Sequence, residues 1–486
     1  MSLTHAPVQS PPLAPPPAPQ APAARTGYPG FHHGVSLLHG WVPQVVAFAA
    51  VLLLVIAFAR FTRRWWLLWM PVCAVAGVAV AWAAWIFTNN QGLASDPAPV
   101  LLWSCVGLTA AGLVAAVVGL RTGGWWQRIA AILAVPAALL HTGVVLNQWV
   151  GYYPTVQAAW DALNADPLPH QVDIDALGGL RNTDMGTGRI VEVNIPESGS
   201  DFRHRREYVY LPPAWFAGDK PPTLPTIMMI GGEFNTPADW VRSGQIMPVV
   251  DDFAAKNNGQ TPVLVFVDSG GSFNNDTECV NGPRGDAADH LTKDVPDYME
   301  STFGVAGDAS AWAVVGWSMG GTCAVDLAVM HPDQFGTFVD IAGDLGPTAG
   351  TKEQTITRLY GGNADAWAQF DPLTVMRMHG PYTDVVGLFD DLTAPKHNSG
   401  QQKMNFPGMP KVTEDRIGKG GRDGVMDTNE EGAAETLCDE GRKVGIDCTV
   451  HTTVGGHTWQ FASSAFTSSF PWLTARLGIP VAGLSS

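Results

Sequence analysis

At 486 residues the chain exceeds one ordinary domain, and its net charge of −16 argues against nucleic acid as a partner, because phosphates would be repelled. Apolar residues make up 46% of the chain but are unevenly spread, which separates a membrane region from a soluble one.

Residues 1–36 are rich in Pro and Ala and almost uncharged, a composition that predicts a disordered tail. Within 37–152 lie four apolar runs, Leu38–Ala59, Trp65–Phe87, Val100–Leu120 and Ile129–Val150. Each is near the ~20 residues a spanning helix needs, and none has Asp, Glu, Lys or Arg inside. The late start of the first run and the three that follow argue against a cleaved signal peptide. Arg60, Arg63 and Arg64 separate runs one and two, and Arg121 and Arg128 separate runs three and four; the loop 89–99 has neither Lys nor Arg. The positive-inside rule therefore predicts both Arg-bearing loops in the cytoplasm and everything after Tyr153 outside it. Trp65, Trp66, Trp125 and Trp126 fall at the predicted cytoplasmic interface, where indoles prefer to sit.

The cysteines agree with that orientation. Cys73 and Cys105 lie in membrane runs, as inert packing residues. Cys279, Cys323, Cys438 and Cys448 permit two disulfides in an oxidising compartment; of three pairings, Cys438–Cys448 and Cys279–Cys323 are expected. No C-x-x-C or histidine spacing accompanies them, so no metal and no other cofactor is expected.

Residues 153–184 read as a linker with one short helix. The remainder, 185–486, alternates strand-like runs with helical patterns. The strands are Arg189–Asn194, Arg206–Leu211, Thr226–Ile230, Val263–Val267, Ala311–Val315, Thr383–Phe389 and Ile446–Thr453; the helices are Ala287–Phe303, Thr322–His331 and Glu430–Val444. Such alternation predicts a mostly parallel sheet with helices on both faces, an α/β-hydrolase fold with active residues at the carboxyl ends of strands.

Gly316-Trp317-Ser318-Met319-Gly320 stands between an apolar strand and a helix, the context a G-x-S-x-G nucleophile elbow requires. A serine hydroxyl needs a base within hydrogen-bond reach, and in this fold the order is Ser, acid, His. His457, in Gly455-Gly456-His457-Thr458-Trp459 after the last strand, is the expected base, whereas His331 and His451 lie in regular elements. The acid is expected at Asp391, with Asp390 beside it, where the run ending at Phe389 stops; Glu414, Asp415 and Glu430 in or after the polar insertion Leu392 to Thr428 are alternatives. Two amides should meet the developing oxyanion: the N–H of Met319, and that of Glu233 (or Phe234) in the loop Ile230-Gly231-Gly232-Glu233-Phe234.

Several stretches together resemble the esterase family that includes the mycobacterial mycolyltransferases, the antigen 85 group. The elbow followed by Ala328-Val329-Met330-His331-Pro332-Asp333-Gln334-Phe335 is similar to that family's elbow and helix. Val267-Asp268-Ser269-Gly270-Gly271-Ser272-Phe273 resembles its glycine-rich loop, and His457-Thr458-Trp459 its catalytic His-Ser-Trp. The resemblance spans roughly 185–480 and not the four apolar runs. It implies an α/β-hydrolase with serine, histidine and carboxylate, and Met319 N–H in the oxyanion hole. The loop Gly231-Gly232-Glu233-Phe234-Asn235 lacks the acid and the Arg with which that family holds trehalose. The expected function is a membrane-anchored, extracytoplasmic serine esterase or acyltransferase working on an envelope ester of lipid, mycolyl or aminoacyl-lipid type. The alternative is a non-catalytic binding module on the same scaffold. The envelope substrate and the membrane are the expected partners.

Overall fold

The computed structural model describes residues 34–91, 98–122, 124–164, 166–273, 275–393, 430–454 and 456–480. Most of the tail expected to be disordered, and the insertion with Glu414 and Asp415, lie outside the described residues.

Four long helices form from the apolar runs: α1 (Trp41–Phe58), α2 (Met70–Gln91, preceded by a π-turn Trp65–Trp69), α3 (Val100–Thr122) and α4 (Trp125–Val150). α1 packs on α4, and α3 packs on both α2 and α4. Small residues set the seams. Ala57, Ala131, Ala134 and Ala138 form one buried cluster, and a Cβ on Gly77 would lie 2.6 Å from the Gly107 carbonyl oxygen, so α2 and α3 touch backbone to backbone. The large side chains turn outward instead: Phe48, Val78 and Trp82 are exposed. No more than 33% of any span is buried, which suits helices long and apolar enough to cross a membrane and not a water-soluble bundle.

After the short helix Val156–Leu163, capped by Thr155, the chain enters a nine-stranded sheet. Its first strand, β1 (Gln171–Val172), comes from the stretch read as linker. β2 (Arg189–Val193), β3 (Glu207–Leu211), β4 (Thr226–Ile230) and β5 (Val263–Val267) follow. A small hairpin, β6 (Asn281–Gly282) and β7 (Gly285–Asp286), precedes β8 (Trp312–Trp317), β9 (Thr337–Ile341), β10 (Val386–Thr393) and β11 (Asp447–Val454). The order is β1-β2-β3-β5-β4-β8-β9-β10-β11, antiparallel at β2–β3 and β3–β5 and parallel elsewhere. This is the α/β-hydrolase arrangement. One buried core, with the helix Met319–Met330, covers one face of the sheet; the other, with Trp240 and the helix Trp459–Arg476, covers the opposite face.

Three strands differ from expectation in ways that move the site. β9 is absent from the sequence reading, because Asp340 interrupts its apolar run; it is nonetheless buried between β8 and β10. β8 continues two residues beyond Val315, so the elbow follows Trp317 directly. β10 runs past Phe389 to Thr393, which corrects the placement of Asp390 and Asp391: both are inside the strand, Asp390 paired with β9 and β11 and Asp391 with β11, rather than just beyond its end. Cys279–Cys323 and Cys438–Cys448 are disulfide-bonded as expected, and Cys73 and Cys105 are buried free thiols.

Candidate active site

Ser318 sits between β8 and its helix at φ 59°, ψ −124°, a conformation a non-glycine residue holds only at a cost of about 1–3 kcal/mol. The neighbours make the turn possible by having no side chain. A Cβ on Gly316 would lie 1.6 Å from the Gly320 carbonyl oxygen, and one on Gly320 would lie 2.4 Å from that of Ile230. Hydrogen bonds hold the tip: Ser318 N donates to Ile341 O at 2.9 Å, and Ser318 O accepts from Gly321 N at 2.7 Å. The serine thus stands at the amino end of a 12-residue helix, where the dipole favours negative charge.

The loop after β4 crosses directly over this tip. A Cβ on Gly232 would lie 3.2 Å from Ser318 Cβ. The loop is closed on itself: Gly232 N donates to Asn235 Oδ1 at 2.6 Å and Asn235 N to Gly232 O at 3.0 Å, leaving Glu233 and Phe234 at the bend. The Asn235 carbonyl accepts from Arg205 Nη2 at 2.9 Å. Arg205 in turn grips Asp268 at the end of β5, with Nη2–Oδ1 at 2.6 Å and Nε–Oδ2 at 3.0 Å. Burial works to raise the Asp268 carboxyl, but the Arg205 hydrogen bonds and charge hold it below the ordinary carboxylate range.

Behind Asp268 lies a charged cluster that the sequence reading did not pick out. Glu207 Oε1 accepts from Asp268 N at 2.8 Å and faces His290 Nε2 at 3.1 Å; His290 Nδ1 faces Asp294 Oδ2 at 3.3 Å. His204 stacks on His290 with centroids 4.3 Å apart, its own ring nitrogens against the carbonyls of Arg205 and Ile195 at 2.7 and 2.8 Å. His204, Glu207 and His290 could each turn one ligand atom within 4.8 Å of the others, a spacing compatible with a metal ion. All four ring nitrogens are already engaged by oxygens, so the group works as it stands as an ion cluster. Burial lowers and Glu207 raises the His290 imidazole, with a net rise. The spacings His204-x-x-Glu207 and His290-x-x-x-Asp294 were the only sequence signal for it.

His457 occupies the loop between β11 and the helix Trp459–Arg476. Its ring packs on Trp317, the residue before the nucleophile, at 4.2 Å between centroids. Through Trp317, the His457 ring reaches the residue that directly precedes Ser318. His331 instead caps the elbow helix and His451 is inside β11.

The two acids sit on β10, two strands from β8 and next to β11. Asp390 is in register with Ile341, the residue whose carbonyl holds Ser318 N, and with His451. It shares a strand face with Leu388 and Leu392, in the core that also contains Trp317; Asp391 shares the opposite face with Phe389. Burial pushes the Asp390 carboxyl up to about 7. Asp391 Oδ1 accepts from Leu392 N at 2.7 Å. Further buried acids line the elbow helix side. Asp326 has no hydrogen-bond partner for either carboxylate oxygen among the described residues; burial, then Asp371 and Asp340, pushes it well above the carboxylate range.

Residues 202–395 match the family model described as putative esterase. An uncharacterized protein of Corynebacterium glutamicum is 27% identical over 461 residues, covering 92% of this chain and 99% of that one. The MPT51 antigen of Mycobacterium leprae is 28% identical over 137 residues, covering 26% of this chain and 42% of its own. Among solved structures, an S-formylglutathione hydrolase from Agrobacterium tumefaciens covers 61% of this chain and 98% of its own at 16% identity and a TM-score of 0.44. MPT51 of Mycobacterium tuberculosis covers 59% and 97% at 18% identity and a TM-score of 0.39.

Proposed function

We propose that this chain, which carries an antigen 85-like serine esterase domain, is a membrane-anchored enzyme that cleaves or transfers the acyl group of an envelope ester, of lipid, mycolyl or aminoacyl-lipid type. The observation that carries this reading is the strained Ser318 tip, overlaid by the 231–235 loop and flanked by the His457 ring on Trp317.

In this mechanism Ser318 Oγ attacks the ester carbonyl carbon while His457 takes its proton. The Met319 and Glu233 amides donate to the oxyanion, each worth about 3–4 kcal/mol in comparable sites. The tetrahedral intermediate collapses, the C–O bond to the alcohol breaks, and His457 returns the proton to that alcohol. Water or a second alcohol then attacks the acyl-enzyme by the reverse sequence, freeing Ser318. A carboxylate, Asp391 or Asp390, orients the imidazole and stabilises its charged form. Four apolar helices favour a substrate that itself resides in the membrane, and the arginine distribution together with the two disulfides favours an extracytoplasmic domain.

Covalent labelling by a fluorophosphonate tests this on the full chain in detergent. Wild type is expected to label and Ser318→Ala not to. Equal labelling of the two removes Ser318 from the mechanism.

A further inference from the structure

The residues that follow the fourth membrane helix touch both catalytic loops, and no motif directs attention to them. Helix α4 ends at Val150, and Gly151 caps it at φ 62°, its N–H donating to Asn147 O at 2.7 Å. Asn147 then holds the next turn of chain: its Nδ2 donates to Tyr153 O at 2.8 Å, and its Oδ1 accepts from Tyr153 N at 2.6 Å. The segment 151–153 is therefore fixed to the last turn of the spanning helix.

From this fixed point two arms reach the site. Tyr152 donates its phenol hydrogen to Asp239 Oδ2, four residues beyond Asn235. Asn235 is the residue whose Oδ1 takes Gly232 N and so closes the loop over Ser318. Asp239 secures the far end of that loop by accepting from Thr236 N at 2.5 Å and Thr236 Oγ1 at 2.9 Å. The second arm is Gly151. Its carbonyl accepts from Gln460 Nε2 at 3.3 Å, and a Cβ at this position would lie 2.5 Å from Thr458 Cβ. Thr458 directly follows His457 and caps the helix Trp459–Arg476. The phenol stays a neutral donor, because burial and then Asp239 push its ionisation well up.

We infer that Gly151 and Tyr152 belong to the catalytic apparatus: Tyr152 is a positioning residue that sets the oxyanion loop, and Gly151 seats the histidine loop against the end of the fourth membrane helix. The inference rests on the serine esterase reading. It adds that the esterase site is completed by the membrane region, and that the four helices do more than tether. A misplacement of about 1 Å in such a loop costs on the order of 100-fold in rate.

The test compares wild type with Tyr152→Phe as full chains in detergent, using the fluorophosphonate and a short nitrophenyl ester. Tyr152→Phe removes one oxygen and no volume. The end-point of labelling counts folded sites, while its rate reports the geometry of each. Labelling and kcat are expected to slow by about 10–100-fold, with KM within about twofold and an undiminished end-point. A wild-type rate in Tyr152→Phe overturns the inference; a lowered end-point with the surviving fraction reacting at wild-type rate does so too, since that is a folding role only. If Tyr152→Phe yields no folded protein, Asp239→Asn is measured in the same way, slowing being expected and a wild-type rate again overturning it. Failure of wild type to label through Ser318 would instead strike the esterase reading itself, so the two failures are distinguishable.

Discussion

The two flanks of Ser318 treat buried charge in opposite ways. On the β3–β5 side, three carboxylates meet a cationic or imidazole partner: Asp268 has Arg205, and Glu207 and Asp294 enclose His290. On the β9–β10 side and along the elbow helix, Asp390 and Asp326 are buried with desolvation as the leading influence on each. Paired charges fix geometry, and this flank holds the loop 231–235 through Arg205 and the Asn235 carbonyl. Buried acids without a cation hold their protons to higher pH instead, and store a stability that depends on pH. The first flank is a frame; the second is a titratable store.

Several changes should break or sharpen this contrast. The largest effect belongs to the group between the flanks: Ser318→Ala should lower nitrophenyl ester turnover by about 10⁴-fold or more, since it removes the attacking hydroxyl. Asp390→Asn and Asp391→Asn come next. Whichever carboxylate orients His457 should lose about 10⁴-fold in kcat, and the other should retain activity within about tenfold. Removing the Cys279–Cys323 link, which closes a separation of 44 residues, should cost about 4 kcal/mol in a chemical melt, against about 2.7 for Cys438–Cys448 with its separation of 10. Arg205→Ala should cost about 3 kcal/mol, because Asp268 stays buried without its partner, and should slow acylation as well as lower the melting temperature.

pH separates the two flanks in a further way. Asp390 has a folded value of about 7 against 3.8 unfolded, so its contribution is fully present below pH 3.8 and is lost as pH rises towards about 7. The shift at Asp326 has the same sign, so Asp326→Asn should raise the melting temperature at pH 8 and leave it nearly unchanged near pH 3. The frame behaves differently. Asp268 and Asp294 have lowered folded values, so their stabilisation is present above the unfolded carboxylate pKa and is lost as pH falls. His290, raised, stabilises fully below about 6.5 and less as pH climbs through its folded value. A melting curve for Asp326→Asn parallel to wild type from pH 4 to pH 8 would remove Asp326 from the store.

Features written in local chemistry were legible before the fold was known. The elbow glycines, the charge-free 20-residue runs and the near pair Cys438–Cys448 all announce themselves within a short stretch of chain. Strand register does not. β9 looks too polar to be central because Asp340 lies in it, yet its Oδ1 accepts from Gly343 N at 2.8 Å, so a polar side chain is satisfied inside the sheet. For the same reason the sequence places Asp390 and Asp391 at a strand end when the pairing carries β10 past both. Long-range contacts were hidden altogether: Tyr152 meets Asp239 across 87 positions, and Glu207 meets His290 across 83. Nothing in periodicity encodes such encounters.

The Cys279–Cys323 bridge has a consequence for timing. Cys323 lies in the second turn of the helix that Ser318 begins, and its sulfur ties that helix to the segment carrying Thr277 and Glu278. Such a bond forms and lasts only where thiols are oxidised. While its thiols are reduced, the chain therefore holds Ser318 on a turn without that brace. Forming the elbow and bracing it are then two steps, the second waiting on oxidation of the pair.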